Sequence, residues 1–289
     1  MSNTNDHFRA GLVQMCSGRD VERNVRDATA LIREAAAGGA SYVQTPEVTT
    51  LMELDRERLF ALTLPEPGNP SLAAFTALAA DLKIWLHIGS MGVLLPETGR
   101  IANRSYLISP NGAVTARYDK IHMFDVELPN GESYKESRNY EPGSHAVIAE
   151  LPWGGLGFTI CYDLRFPYLH RALAKNGAQF IASPAAFTKT TGEAHWHTLI
   201  KARAIESQCF VLAAAQGGRH EHGRDTYGHS LAVTPWGEVL AEGNVHPSVI
   251  FADVQSSALI EARSRVPSLT HDRPFDVVRA GLGSGEGGS

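Results

Sequence analysis

Short apolar runs alternate along this chain with longer stretches whose apolar residues recur every three or four positions. Residues 8–15, 41–44, 84–95, 105–109, 114–118, 156–160, 180–182, 209–214, 230–233 and 249–254 read as buried strands. Residues 21–37, 71–82, 168–175 and 195–207 read as helices. Gly38-Gly39 closes the first helix, and Asn176-Gly177 follows the third in the same way. The alternation predicts an α/β protein with buried sheets covered by helices. It does not separate one sheet from two stacked sheets.

No linker divides the pattern, which predicts a single domain over residues 8–275. Residues 129–142 are polar, contain Gly131 and have motif residues on both sides, so they read as a long active-site loop. Residues 1–7 and the low-complexity tail 281–289 are expected to be disordered. No repeat appears at solenoid periods.

Composition narrows the partners. Of 289 residues, 43% are apolar and 20% charged, and the net charge is −5. There is no dense basic run, which argues against nucleic acid or an anionic membrane as partner. No apolar run reaches transmembrane length, and the polar start Met1–His7 lacks the apolar core of a signal peptide. Three cysteines without a Cys-x-x-Cys spacing fit a reducing cytoplasm and give no thiolate metal cluster.

Three strand ends carry candidate chemistry. The run Gly157-Phe158-Thr159-Ile160 ends at Cys161, followed by Tyr162-Asp163-Leu164-Arg165-Phe166 and by Pro167 at a helix start. A strand–Cys–helix junction lifts the thiol to the mouth of a sheet and turns backbone N–H groups toward what it attacks. Tyr42-Val43-Gln44-Thr45-Pro46 leads to Glu47, and Ala116-Arg117-Tyr118-Asp119 to Lys120 and His122. A thiol nucleophile needs a base, and its tetrahedral intermediate needs cationic or N–H stabilisation. Each residue alone also has a plainer reading: a small core residue, a surface carboxylate opening a helix, a solvated lysine.

Together the three resemble the nitrilase (carbon–nitrogen hydrolase) superfamily. Pro46-Glu47, Tyr118-x-Lys120-x-His122 and the Cys161–Pro167 segment stand in the order and at the wide separation of its Glu-Lys-Cys triad, and the resemblance runs from Phe8 to about Phe275. Ala194-His195-Trp196, Arg203-Ala204-Ile205-Glu206, Tyr227-Gly228-His229-Ser230 and Pro235-Trp236-Gly237 resemble the amidase branch near the omega-amidases and the deaminated-glutathione amidases. Val48-Thr49-Thr50-Leu51 departs from that branch's aromatic-containing stretch.

The resemblance implies a four-layer α-β-β-α sandwich of the nitrilase type, assembled as a homodimer or higher homo-oligomer. Residues 168–175 and 195–207 are the candidate interface helices. It implies a cysteine-dependent amidase without cofactor or metal, acting on a small-molecule amide. Cys161 would be the nucleophile and Glu47 the general base, with Lys120 and the Tyr162 N–H holding the oxyanion. Glu136 best matches a second carboxylate beside the lysine, with Glu127 and Glu132 as competitors. Arg165 would pair with a substrate carboxylate, or else with Asp163. Phe187, Thr191 and His195 fall in a segment that resembles a substrate-contact loop. Cys16 and Cys209 read as inert core residues. Deaminated glutathione is the first substrate choice. The alternatives are 2-oxoglutaramate, N-carbamoyl amino acids and, lower, nitriles. A non-catalytic scaffold is disfavoured because every triad position is filled. A metallohydrolase built on His195, His197, His220, His222 and His229 is disfavoured because no His-Glu-x-x-His helix occurs.

Overall fold

The apolar runs form two stacked sheets, each with helices on its outer face, in a computed structural model that describes residues 6–129 and 131–279. The strands are β1 (His7–Gln14), β2 (Tyr42–Gln44), β3 (Trp85–Leu95), β4 (Arg100–Ile108), β5 (Val114–Asp119), β6 (Asp125–Glu127), β7 (Ser133–Lys135), β8 (Tyr140–Glu141), β9 (Ile148–Leu151), β10 (Gly154–Phe158), β11 (Ala178–Ala182), β12 (Phe210–Ala213), β13 (Gly217–Arg219), β14 (Asp225–Tyr227), β15 (Leu231–Val233), β16 (Val239–Glu242) and β17 (Ser248–Gln255). The helices are α1 (Val21–Ala37), α2 (Arg56–Leu62), α3 (Pro70–Leu82), α4 (Pro167–Lys175), α5 (Lys189–Ser207) and α6 (Ser256–Arg265).

One sheet runs β17-β1-β2-β3-β4-β5, with β8 added beside β4; the other runs β16-β15-β12-β11-β10-β9. Period-two alternation assigns the two faces of each strand. Phe8, Ala10 and Leu12 of β1 point between the sheets to meet Phe158, Phe180 and Leu212. Val13 faces the other way, into a cluster with Ala28 and Ile32 of α1 and Phe75 of α3. Leu169 and Leu173 of α4 cover the second sheet at Ala178. The expected α-β-β-α layering is therefore present, with two sheets rather than one.

The space between the sheets is not uniformly apolar. Gln44 of the first sheet accepts from the Ala214 N–H beyond β12 at 2.9 Å, and Gln14 accepts from the Ser230 N–H at 2.9 Å. Buried amides that are fully bonded across an interface fix its register, because a slip leaves them unpaired. His87 of β3 is bonded to the Tyr42 hydroxyl (2.8 Å) and to Ser105 Oγ (2.6 Å).

Burial pushes His87 down to about 3, and His170 and His220 down to about 4, from an ordinary 6.5. All three stay neutral in the fold but take up protons on unfolding below pH 6.5, so stability is present above that pH and falls as the pH drops toward 4. At pH 5 each should cost about 2 kcal/mol relative to pH 7.5. A urea midpoint that does not fall between pH 7 and pH 5 would remove this contribution.

Several local expectations change. His7, assigned to an irregular terminus, opens β1 opposite Gln255; residues 1–5 and 281–289 lie outside the described residues. Residues 129–142 contain β7, a short 3-10 turn at Glu136–Arg138 and β8 rather than one loop. Residues 219–225, polar throughout apart from Gly223, belong to the β13–β14 hairpin, where His220 is buried against Ser17 and Thr226. Helix α5 starts at Lys189, six residues before the predicted start, capped by the Thr188 side chain.

Candidate active site

The three predicted strand-end residues meet at one end of the stacked sheets. Cys161 follows β10 and opens a short 3-10 turn, with φ at +48°. That region is uncommon for a residue with a side chain and costs on the order of 1–3 kcal/mol unless the surroundings enforce it. Here the enforcement is visible. The Cys161 N–H donates to Pro184 O at 2.9 Å, and the Asp163 carboxylate accepts from the Ile160 N–H (2.9 Å), the Tyr118 hydroxyl (2.6 Å) and the His122 N–H (3.0 Å). Asp163 thus ties the nucleophile turn to the segment that carries Lys120. Arg165 does not form the alternative pair with Asp163 but meets His195 and the Phe187 ring instead.

Glu47 lies just beyond β2 and is buried. Its loop crosses β3 so closely that a Cβ on Gly89 would sit 2.1 Å from Thr45 O, so only glycine fits there. Oε1 accepts from Lys120 Nζ at 2.8 Å and from Asn103 Nδ2 at 3.0 Å, and Oε2 accepts from the Ala186 N–H at 2.9 Å. Lys120, beyond β5, is 1% exposed. It also donates to both oxygens of Glu136, at 3.0 and 2.9 Å. Glu136 Oε2 accepts from the Phe124 N–H at 2.7 Å. The sequence left three carboxylates open for that position. The β6–β7 hairpin returns Glu136 to Lys120 and leaves Glu127 and Glu132 exposed.

The electrostatics follow from one buried cation between two carboxylates. Burial alone would raise Glu47, but Lys120 outweighs it and holds the carboxyl below its usual range. Burial would lower Lys120, yet Glu136 and Glu47 keep it well above its ordinary value. Burial, followed by the Glu47 charge, pushes the Cys161 thiol well up. The resting arrangement is a neutral thiol facing an ionised carboxylate, chemistry that can serve as a nucleophile and its base.

Cys161, Glu47 and Lys120 line a cavity of about 530 Å³ with Asn103, Tyr134 and Arg224. A smaller cavity meets it at Cys161, Phe124 and Ala186 and is lined by Tyr162, Arg165, Phe187 and Thr191. The Arg165 guanidinium lies over the Phe187 ring, 5.4 Å from its centroid, and donates to His195 Nδ1 at 3.3 Å. Tyr162, Arg165, Phe187 and Thr191 therefore share a cavity with the thiol, whereas His195 is exposed, lines neither cavity and touches Arg165.

Asn103 and Arg224 were not singled out in the sequence. Asn103 sits within β4 and bonds Glu47 and also Glu136, at 3.2 Å. The other cysteines lie apart. Cys209 is buried, with its thiol pushed up to about 11. Cys16 is half-exposed against Arg219 and His220 rather than in the apolar core as expected. The histidines of the metallohydrolase reading do not share one centre, although the ligand atoms of His197, His229 and Glu242 lie within 4.8 Å of one another. His195 meets Arg165, His220 bonds Ser17 O and Thr226 Oγ1, and His197 and His229 both contact Glu242, at 2.9 and 3.0 Å.

Residues 9–264 match the carbon–nitrogen hydrolase family model. Deaminated glutathione amidase of Yersinia enterocolitica is 39% identical over 275 residues, covering 94% of either chain. The Homo sapiens deaminated glutathione amidase is 40% identical over 266 residues, covering 90% of this chain and 81% of its own. The crystal structure of Saccharomyces cerevisiae Nit3, a member of branch 10 of the nitrilase superfamily, superposes with a TM-score of 0.84 at 28% identity, covering 93% of this chain and 97% of that one. Among the described residues no helix is long and apolar enough to cross a membrane. The chain belongs to the carbon–nitrogen hydrolase family, within the nitrilase superfamily, and is an amidase-type hydrolase of carbon–nitrogen bonds other than peptide bonds.

Proposed function

We propose that this amidase hydrolyses a small anionic 2-oxoacid amide, with deaminated glutathione the first choice, through a thioester on Cys161. The observation that carries the reading is the meeting of Cys161, Glu47 and Lys120 in one cavity, with Lys120 held between Glu47 and Glu136. The thiol sulfur attacks the amide carbon and its proton passes to Glu47. Lys120 Nζ and the Tyr162 N–H receive the oxyanion. Glu47 then protonates the leaving nitrogen as the C–N bond breaks and the thioester remains. Water adds to the thioester and gives its proton to Glu47, which returns a proton to sulfur as the acid leaves. Glu136 orients Lys120 and balances its charge.

The choice of acyl group rests on Arg165 and on relatives that carry the deaminated glutathione amidase name. Among the described residues Arg165 has no carboxylate partner, and its fork is suited to a substrate carboxylate placed beside the thiol. A panel of deaminated glutathione, 2-oxoglutaramate, succinamate, N-carbamoyl amino acids and aliphatic nitriles, scored by kcat/KM, tests the reading. The 2-oxoacid amides should lead. Arg165→Lys should reduce kcat/KM for them by roughly 10–100-fold, because an ammonium cannot reproduce the planar fork, while neutral amides lose far less. A preference for propionamide or a nitrile, or equal slowing of every substrate, would overturn the assignment.

We also propose that the chain acts as at least a homodimer joined through α4 and α5, where Tyr168 and Ile205 are exposed. Light scattering at micromolar concentration should give at least twice 31.3 kDa.

A further inference from the structure

Outside both cavities, a cluster that the mechanism does not use joins helix α5 to strand β16. Glu242 Oε1, at the end of β16, accepts from His197 Nε2 of α5 at 2.9 Å. The same oxygen accepts from Nδ1 of His229, between β14 and β15, at 3.0 Å. The three ligand atoms lie within 4.8 Å of one another. One carboxylate oxygen shared by two imidazoles is also a donor set for a metal ion. Zinc takes imidazole nitrogen and carboxylate oxygen at about 2.0–2.2 Å, which puts tetrahedral ligand atoms roughly 3.3 Å apart. The observed contacts would have to open by only a few tenths of an ångström. The two histidines are half-buried and Glu242 is exposed, so water can complete the coordination.

The chain around these residues fixes their rings. His229 has φ at +52°, a region that residues with a side chain seldom adopt. Its N–H donates to Asn244 O at 2.8 Å, and its carbonyl accepts from Nε1 of Trp196, the neighbour of His197, at 2.8 Å. The Tyr227 ring stacks on its imidazole, with centroids 4.4 Å apart. Conformations enforced in this way collect at functional sites, and here the enforced residue turns its imidazole to the other two ligands. Two imidazoles and a carboxylate suit zinc and similar divalent ions rather than calcium or magnesium, which take oxygen ligands. We propose that His197, His229 and Glu242 bind one such ion per chain and fasten α5 to β16. Strand β16 ends its sheet and pairs with β15 through a ladder whose register shifts at Ala232/Val233, so a bond to α5 secures the edge. None of the three residues lines either cavity, and the amidase reaction does not need the ion.

The test uses Zn²⁺ and the full chain carrying Cys161→Ala, freed of metal, so that the active-site thiol cannot take the ion. Calorimetric titration should show one site per chain that saturates at micromolar Zn²⁺. At a hundredfold excess over Kd the Tm should rise by about 4–5 °C. His197→Gln should weaken binding at least tenfold and abolish that rise. His229→Asn should do the same, because asparagine tolerates the positive φ. Co²⁺ in place of Zn²⁺ should give visible d–d bands, without a thiolate charge-transfer band, that vanish in both variants. Binding that does not saturate below millimolar Zn²⁺, or that survives His197→Gln, would overturn the proposal. So would a thiolate band, which would put the ion at Cys16 and His220. If the three residues form only a hydrogen-bonded cluster, the variants lower Tm by the same amount with and without Zn²⁺, and the proposal fails. Should His229→Asn not fold, His197→Gln decides.

Discussion

Cys161→Ala should lower kcat by roughly 10⁵-fold or more while substrate still binds with nearly wild-type affinity. The argument is geometric. The thiol stands where both cavities meet and faces Glu47, and no other cysteine lines either cavity. Alanine keeps the Cβ, so it neither relieves nor adds to the positive φ at this position. The turn is fixed by Asp163 and by the Cys161 N–H, neither of which involves sulfur. Binding contacts and fold are therefore retained, and only the bond-forming atom is lost. Single-turnover assays with calorimetric titration of the same substrate separate the two quantities. Retention of more than a few per cent of activity in a purified sample would rule out Cys161 as the nucleophile. Dialysis of wild type against a chelator should leave the rate unchanged.

Cys161, Glu47 and Lys120 were legible as candidates because each follows a strand within its own short motif. Asn103 was not. It lies inside β4, where an inward polar residue looks like any other strand position until Glu47 and Glu136 are brought to it. Arg224 was hidden for a related reason. Its surroundings, Arg219 to Asp225, are polar and contain Gly223, so nothing local distinguishes an ordered hairpin arm from a solvated loop. What orders it is the isolated bridge between Thr188 and Thr226 and the bond from Tyr227 N–H to Phe187 O, both from distant chain.

The start of α5 shows tertiary packing overriding propensity. Threonines at 190 and 191 and glycine at 192 read as a loop, since glycine in a helix costs about 1 kcal/mol relative to alanine. The helix nevertheless begins at Lys189. A Cβ on Gly192 would meet the Tyr227 side chain at 2.3 Å, so the residue that weakens the helix is the one that lets the hairpin dock on it. The layer count was beyond the alternating pattern alone, because apolar runs that are buried on both faces look the same in one sheet or two. Residues such as Gln14 and Gln44, bonded across to the other sheet, distinguish the cases, but only once their partners are known.

Lys120→Met should lose several orders of magnitude in kcat and also about 3–5 kcal/mol of stability, a Tm drop on the order of 10 °C. Lys120 is the cation between Glu47 and Glu136, and all three are withdrawn from water. Without it two carboxylates share a buried site joined by Asn103, and one of them must keep a proton. Its folded-state pKa then lies above its unfolded value. Such a group favours the fold when protonated, so the variant should lose stability as pH rises from about 5 to 8. Wild type runs the other way at Glu47, whose lowered pKa gives stability that is present at neutral pH and lost on acidification. Adding Glu136→Gln to Lys120→Met removes the repulsion and should restore most of the stability and flatten its pH dependence. It should not restore turnover if Lys120 receives the oxyanion as proposed, because that cation is still missing. A double variant that regains activity together with stability would make Lys120 a structural counter-ion and leave the oxyanion to other groups.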